Sequence, residues 1–329
     1  RDMKDQFGRK IEYLRISITD RCNLRCRYCM PETGVAALRH EDILSYEEIL
    51  RAAAQMAKLG IRKVRVTGGE PLVRIGAVEF VRCLKSIDGI EKVVLTTNGV
   101  RLAELAAPLQ QAGLDGVNLS LDTLDRQVFA GITRRDRLPE VYAGMQEALR
   151  LGLPLKLNCV PLQGIQEEAL TGLAELAREH RLDVRFIELM PIGCARTAGL
   201  QGMPMQKVRS LLEHYLGAML PVPETDSSAG PAQYYRLPGF AGRIGFIDAV
   251  GHKFCSGCNR VRLTADGFLK LCLNARFGLD VRQLLRSGAG DEALYAALRE
   301  AVYQKPQEHF FADGHYKAKD NRRMYQVGG

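Results

Sequence analysis

The 329-residue sequence contains no tryptophan, and its eleven tyrosines and eleven phenylalanines are not interleaved with any long lysine or arginine tract. The basic-plus-aromatic pattern of a nucleic-acid binder is therefore weak, although the net charge is +8 and calls for an anionic partner of some kind. No apolar run approaches the ~20 residues that a membrane-spanning helix needs. The segment Arg1 to Lys10 is mostly polar and charged, so it offers no secretory apolar core; because the chain starts at Arg1, a trimmed targeting segment stays open. The expectation is a cytoplasmic protein with no membrane and no nucleic acid among its partners. An even cysteine set is also missing, and nine cysteines argue against a disulfide framework. Internal repeats and low-complexity segments are absent. What remains, 46% hydrophobic residues and a mean hydropathy of -0.13, suits one large α/β unit or two ordinary domains.

The cysteines are clustered. Cys22, Cys26 and Cys29 fall within eight residues, where an extended run over 13–19 ends. Cys255, Cys258 and Cys272 form a second group, while Cys83, Cys159 and Cys194 stand alone and read as small core residues. Thiolate ligands select zinc, copper(I) or iron–sulfur clusters. A closed zinc site needs four protein ligands, and the first loop supplies three with no fourth nearby. A zinc set completed from elsewhere is the competing reading. A C-x3-C-x2-C loop after the first strand of an α/β chain resembles the signature of the radical S-adenosylmethionine superfamily. That resemblance implies three thiolates on three irons of a [4Fe-4S] cluster, with the fourth iron left for the cofactor's amino and carboxylate groups, and a reducing compartment.

From residue 12 to about 190, short β-branched runs alternate with amphipathic helical stretches, which predicts a parallel sheet with helical crossovers. Strands are expected at 12–19, 61–67, 91–97, 116–121, 154–160 and 184–189, and helices at 45–59, opened by Ser45 with Glu48 three residues on, and at 166–180. Six βα repeats predict an α/β fold with an open, partial (βα)6 TIM-like barrel, and the resemblance implies one of the radical S-adenosylmethionine type with a smaller C-terminal iron–sulfur unit. Along these strands Leu14, Ile16, Val64, Val66, Val117, Leu119, Leu155 and Leu157 alternate with Arg15, Ser17, Lys63, Arg65, Asn118, Ser120, Lys156 and Asn158. Side chains alternate between the two faces of a strand. The apolar set should therefore pack under the helices, and the polar, mostly basic set should face inward. An ordinary closed barrel fills its interior with branched apolar side chains, so this one is built for a large polar ligand. Gly68-Gly69-Glu70-Pro71, directly after the second strand, places glycines where backbone can approach a ligand closely.

Residues 221–231, rich in Pro, Ser and Gly, read as a linker between a unit at 1–220 and a second at 221–329. The second unit carries short strands near 234–237, 243–249, 260–264 and 268–272, then helices near 280–287 and 291–303. Its thiols are spaced C-x2-C-x13-C, again three without an obvious fourth; a zinc ribbon completed by His252 is the alternative. Arg260 and Arg262, two apart on a strand, share a face. With Arg15, Arg65 and Lys156 they would converge on a polyanion, since guanidinium groups recognise phosphate oxygens in pairs.

The segments Tyr13-Leu14-Arg15-Ile16-Ser17, Arg65-Val66-Thr67-Gly68-Gly69-Glu70-Pro71, Thr96-Thr97-Asn98-Gly99, Arg185-Phe186-Ile187-Glu188, the run from Phe254 to Gly267 and the terminal Gly328-Gly329 resemble the molybdenum cofactor biosynthesis protein A family, the GTP 3′,8-cyclases. The resemblance implies that Cys22, Cys26 and Cys29 hold the cluster that binds S-adenosyl-L-methionine, with Tyr28, Gly69, Ser120 and Met190 in its pocket. It implies a second [4Fe-4S] cluster on Cys255, Cys258 and Cys272, whose open iron faces the guanine of GTP. Arg15, Lys63, Arg65, Thr96, Lys156, Arg185, Arg260, Val261 and Arg262 would bind GTP, and Gly328 and Gly329 would reach the active site. The implied reaction is abstraction of the ribose 3′ hydrogen by a 5′-deoxyadenosyl radical and attack on guanine C8. It yields (8S)-3′,8-cyclo-7,8-dihydroguanosine 5′-triphosphate, in the first step of molybdenum cofactor biosynthesis. An electron donor and a downstream cyclic pyranopterin synthase are the implied partners, and a homodimer is left open. The alternatives are another two-cluster radical enzyme acting on a peptide, or a zinc-stabilised nucleic-acid-binding module.

Overall fold

The computed structural model describes residues 3–223, 230–250, 255–273, 275–308, 322 and 324–328, without the side chains of 196 and 197. Six strands, β1 (Tyr13–Ser17), β2 (Lys63–Thr67), β3 (Lys92–Thr97), β4 (Gly116–Ser120), β5 (Leu155–Cys159) and β6 (Asp183–Ile187), lie side by side in chain order and are all parallel. This is the open partial barrel that six βα repeats predict. Each crossover passes through a helix on the outer face. The first, Tyr46–Leu59, starts where predicted: Ser45 accepts from the Glu48 amide and Glu48 accepts from the Ser45 amide. The expected helix at 166–180 begins instead as a 3-10 turn, Glu167–Ala169, before the α-helix Leu170–Glu179.

The remaining strands are β7 (Leu220–Pro221), β8 (Gln233–Arg236), β9 (Arg243–Ile247), β10 (Arg260–Leu263), β11 (Phe268–Lys270) and β12 (Gly278–Asp280). They do not form a sheet of their own. β9 adds to the β6 edge and β10 to the β1 edge, both parallel, and the sheet runs β12-β11-β10-β1-β2-β3-β4-β5-β6-β9-β8-β7. The C-terminal residues therefore extend both walls of the barrel instead of stacking as a cap over its mouth. Each edge ends in a short antiparallel strand, three residues at β12 and two at β7, which offers little for a further strand to pair with.

Leu14, Ile16, Val64, Val66, Val117, Leu119, Leu155, Leu157, Val184 and Phe186 are buried in one core under the helices. The alternation read from the sequence thus sets the two faces as expected, and the inward face is left to polar residues. Of the three isolated cysteines, Cys159 and Cys194 are buried. Cys83 is a correction: it is only half-buried, on the outer helix Ala77–Lys85, with its sulfur 3.8 Å from Glu79.

Candidate functional site

The polar face encloses a cavity of about 580 Å³. Both cysteine triads line it, as do Tyr28, Gly69, Ser120 and Met190, and Arg15, Lys63, Arg65, Thr96, Lys156, Arg185, Arg260 and Arg262. The lining runs from Tyr13 to Tyr325, so residues far apart in sequence meet in one place. Gly328 does not line the cavity but is tied to it, its carbonyl accepting from Arg262 Nη1 at 2.6 Å; Gly329 lies outside the described residues. Val261 differs from its neighbours. Its side chain is 1% exposed and packs in the apolar core, so only its backbone can face a ligand.

The basic groups stand in rows set by strand register. Tyr13 is opposite Lys63 on one side and Arg260 on the other; one step along, Arg15 is opposite Arg65 and Arg262. Like charges opposed on adjacent strands repel. Burial holds Arg15 well below its usual basicity, and Arg262 and Arg65 push it further. Burial likewise lowers Arg65, brings Arg262 down to about 10 with Arg260 adding to it, and brings Lys63 down to about 8. Among the described residues neither Arg15 nor Arg65 has a carboxylate at ion-pair distance, and each keeps a buried Nε without a hydrogen-bond partner. Thr96 Oγ1 and the Tyr13 hydroxyl are also buried and unpartnered. Buried polar atoms are nearly always satisfied. Four orphans in one cavity mark the place of a ligand rich in acceptors.

Other members of the basic set are held ready. Arg185 is fixed by neutral amides, donating to Asn158 Oδ1 at 2.9 Å and to Asn118 Oδ1 at 2.5 Å, which leave its charge uncancelled. Lys156 and Arg243 share Asp183, at 3.6 and 2.7 Å. Asn118, expected on the inward face, lines the cavity too, whereas Tyr13, Tyr234 and Arg243 also line it and were missed in the sequence. For Tyr13 the signal was available, because it has the inward parity of Arg15.

The first triad sits at the C-terminal end of β1. Its loop is stapled from two sides. Arg25 donates to the carbonyls of Cys22 and Leu24 at 2.6 and 2.8 Å, and Arg134, in a left-handed conformation with φ 55°, donates to those of Arg25 and Met30 at 2.9 and 3.0 Å. Cys22 Sγ accepts from the Leu24 amide at 3.4 Å and from Asn98 at 3.7 Å. Tyr28 donates to Asp122 at 2.7 Å, and burial lifts the Asp122 carboxyl to about 6. Gly68 and Gly69 are glycines for a local reason: a Cβ on Gly69 would lie 2.4 Å from the Arg21 carbonyl oxygen, and one on Gly68 2.7 Å from that of Thr19. Glu70, lifted to about 7 by burial, accepts from the Leu72 and Asn98 amides and the Thr97 hydroxyl, locking this turn to the end of β3.

Burial raises the thiols of this triad, Cys22 to about 11, Cys29 to about 12 and Cys26 well above its usual value. Such groups become thiolates only beside strong positive charge, as a metal supplies. In the second triad burial also raises Cys258, but Lys305 and Arg260 outweigh it and bring the thiol down to about 6. Among the described residues no three Cys, His, Asp or Glu side chains converge on the point a single metal ion would occupy. His252, the proposed fourth zinc ligand, lies outside the described residues. Thiol-only triads on one cavity fit iron–sulfur clusters, each with an iron left open.

Comparison with known proteins agrees with this geometry. Residues 16–177 match the radical SAM superfamily and residues 182–311 match Molybdenum Cofactor Synthesis C. GTP 3′,8-cyclases of Moorella thermoacetica and Pelotomaculum thermopropionicum are 47% and 45% identical to the chain, over 99% of its length and 100% of theirs. The chain belongs to the GTP 3′,8-cyclase family. Solved structures share the fold of this family member. Streptococcus suis SuiB bound to S-adenosylmethionine superposes with a TM-score of 0.59, at 15% identity, covering 90% of this chain and 66% of that one. No helix among the described residues is long and apolar enough to cross a membrane.

Proposed function

We propose that this chain converts GTP to (8S)-3′,8-cyclo-7,8-dihydroguanosine 5′-triphosphate, as its family membership indicates, and that its cavity holds GTP between two [4Fe-4S] clusters. The observation that carries the reading is the unpaired guanidinium set, Arg15 and Arg65 with orphaned Nε atoms, flanked by a thiol triad at each end of the sequence. A triphosphate supplies the charge and the acceptors that these groups lack.

Cys22, Cys26 and Cys29 would hold one cluster, and Cys255, Cys258 and Cys272 the other. S-adenosylmethionine, bound at the first, supplies the one-electron chemistry that removes the ribose 3′ hydrogen. The chain's own work is placement. Tyr28, Gly69, Ser120 and Met190, beside the first triad, hold S-adenosylmethionine. Arg15, Lys63, Arg65, Lys156, Arg185, Arg260 and Arg262 hold the triphosphate, with Thr96 and the Val261 backbone completing the wall. Fixing both reactants in a buried cavity supplies the orientation such a reaction requires and keeps water from the reacting carbon. Gly328, tied to Arg262, brings the chain terminus to the same wall. Residues 1–220 and 221–329 divide the work, one carrying each cluster. An electron donor, a cyclic pyranopterin synthase that takes the product onward and a cytoplasmic setting go with this activity.

The test is anaerobic reconstitution with iron and sulfide, followed by incubation with dithionite, S-adenosylmethionine and GTP. Formation of 5′-deoxyadenosine together with a cyclised nucleotide of unchanged mass supports the reading. Deoxyadenosine without any change in GTP would refute the substrate, and about two zinc ions with little iron per chain would refute the clusters.

A further inference from the structure

Two buried cations beside the second triad stand outside the set assigned to substrate. Arg9 is 9% exposed, and its Nε donates to Asp5 Oδ2 at 2.6 Å, so its charge is already matched. Its remaining nitrogens fork onto three backbone carbonyls: Nη1 donates to Cys255 and to Gln307, each at 2.8 Å, and Nη2 to Pro306 at 2.6 Å. Lys305 comes immediately before that pair. It is 2% exposed, lines the cavity with the second triad, and donates from Nζ to the carbonyl of Leu271, the residue preceding Cys272. The segment 305–307 is thus tied to both arms of the triad, to Cys255 through Arg9 and to the Cys272 arm through Lys305.

The two cations differ in one respect. Arg9 has a carboxylate; Lys305 has none at ion-pair distance among the described residues, only a neutral carbonyl. A buried ammonium with no anion is expensive to maintain. Three cysteinates on an iron–sulfur cluster are the anions within reach, and the net negative charge of such a cluster grows by one on reduction. Net charge and hydrogen bonding around the sulfurs are what set a cluster's potential. Lys270 is also fully buried nearby, donating to Ala275 at 2.9 Å, and Arg260 and Arg262 face the cavity in front of the triad. Lys270 is thus held within the Cys272 arm, and Arg260 and Arg262 belong to the strand that follows Cys258, whereas Lys305 comes to the triad from a separate segment and ties that segment to the ligand loop through the Leu271 carbonyl.

We propose that Lys305 is the charge partner of the second cluster and favours its reduced form, and that Arg9 is a positioning residue that locks Lys305 against both ligand arms. This rests on the reading of Cys255, Cys258 and Cys272 as cluster ligands.

The experiment uses the full chain with Cys22, Cys26 and Cys29 all replaced by Ala, so that only the second cluster is seen. After anaerobic reconstitution, iron content and an EPR-monitored potentiometric titration compare this protein with its Lys305→Met and Lys305→Arg versions. The expected result for Lys305→Met is at least a tenfold shift of the equilibrium toward the oxidised cluster, a midpoint lower by about 59 mV for one electron, which Lys305→Arg largely restores. A midpoint unchanged in Lys305→Met at equal iron content would overturn the proposal. Iron loss confined to Lys305→Met supports the role of the charge, while iron loss shared by Lys305→Arg overturns it in favour of packing alone. If the parent protein with the first triad removed holds no iron–sulfur cluster, the two-cluster reading itself fails, and this proposal with it.

Discussion

Replacing Arg15 by Met should make the protein more stable and unable to use GTP. Arg15 opposes Arg65 on one neighbouring strand and Arg262 on the other. Each like-charge pair directly across a sheet costs roughly 0.2–1 kcal/mol. Exchanging a buried, poorly compensated charge for a hydrophobic side chain of similar volume adds a gain within the range of about 1–4 kcal/mol seen for such swaps. The partial access of Arg15 to the open cavity keeps the total near the lower end, about 1–3 kcal/mol. For a chain of this size that corresponds to a melting temperature higher by roughly 1–4 °C. GTP should close the gap, and invert the order where the variant's advantage is below the ligand's contribution. At a ligand concentration of 100 times Kd the wild type gains about 2.7 kcal/mol, and the variant, having lost the contact, gains little. Anaerobic scanning calorimetry of the reconstituted proteins with and without GTP reads both effects. An Arg15→Met protein that melts below the wild type in the absence of GTP would refute the reasoning, because Arg15 would then be supporting the fold rather than waiting for a ligand.

Other expectations follow from the same cavity. Lys63 is lowered by burial to about 8, and Tyr13, raised by burial but lowered more by Arg65, Arg15, Lys63 and Arg260, also sits at about 8. A bound polyanion raises both values, so GTP binding near pH 8 should take up protons and affinity should fall as pH rises from 7 to 9; titration calorimetry in two buffers of different ionisation enthalpy measures the uptake. Tyr13→Phe removes an orphaned hydroxyl without removing the ring against which Lys63 and Arg65 pack at 4.6 and 5.4 Å, and should weaken GTP binding by about 1 kcal/mol, roughly fivefold, with S-adenosylmethionine cleavage retained. Gly69→Ala pushes a methyl against the Arg21 carbonyl and should cost about 1–3 kcal/mol, with iron lost selectively from the first triad. Equal iron in that variant and in wild type would show that the loop yields without disturbing the ligands.

The strand faces and both triads were legible because their signals are local. A period of two sorts Leu14 from Arg15 whatever the rest of the chain does, and C-x3-C-x2-C is complete within eight residues. The same parity carries further than it was taken: it puts Val261 in the core and Tyr13 in the cavity, though an aromatic opening a strand reads more readily as core. What stayed hidden depends on partners distant in sequence. No local pattern says that β9 and β10 will each join an edge of the first six strands, and the Arg9 guanidinium meets the Cys255 carbonyl across 246 positions. The pairing of Lys305 with the Leu271 carbonyl is equally remote, so both buried cations read in the sequence as ordinary surface charge. These two limits have one physical source. A barrel whose interior is apolar is finished when its strands close, whereas this interior carries, among the described residues, eleven lysines and arginines against four carboxylates and is electrostatically complete only with ligands inside. The departure from an apolar interior is written along each strand and so locates the site, but the balance that makes it tolerable is settled only where distant segments and bound anions meet.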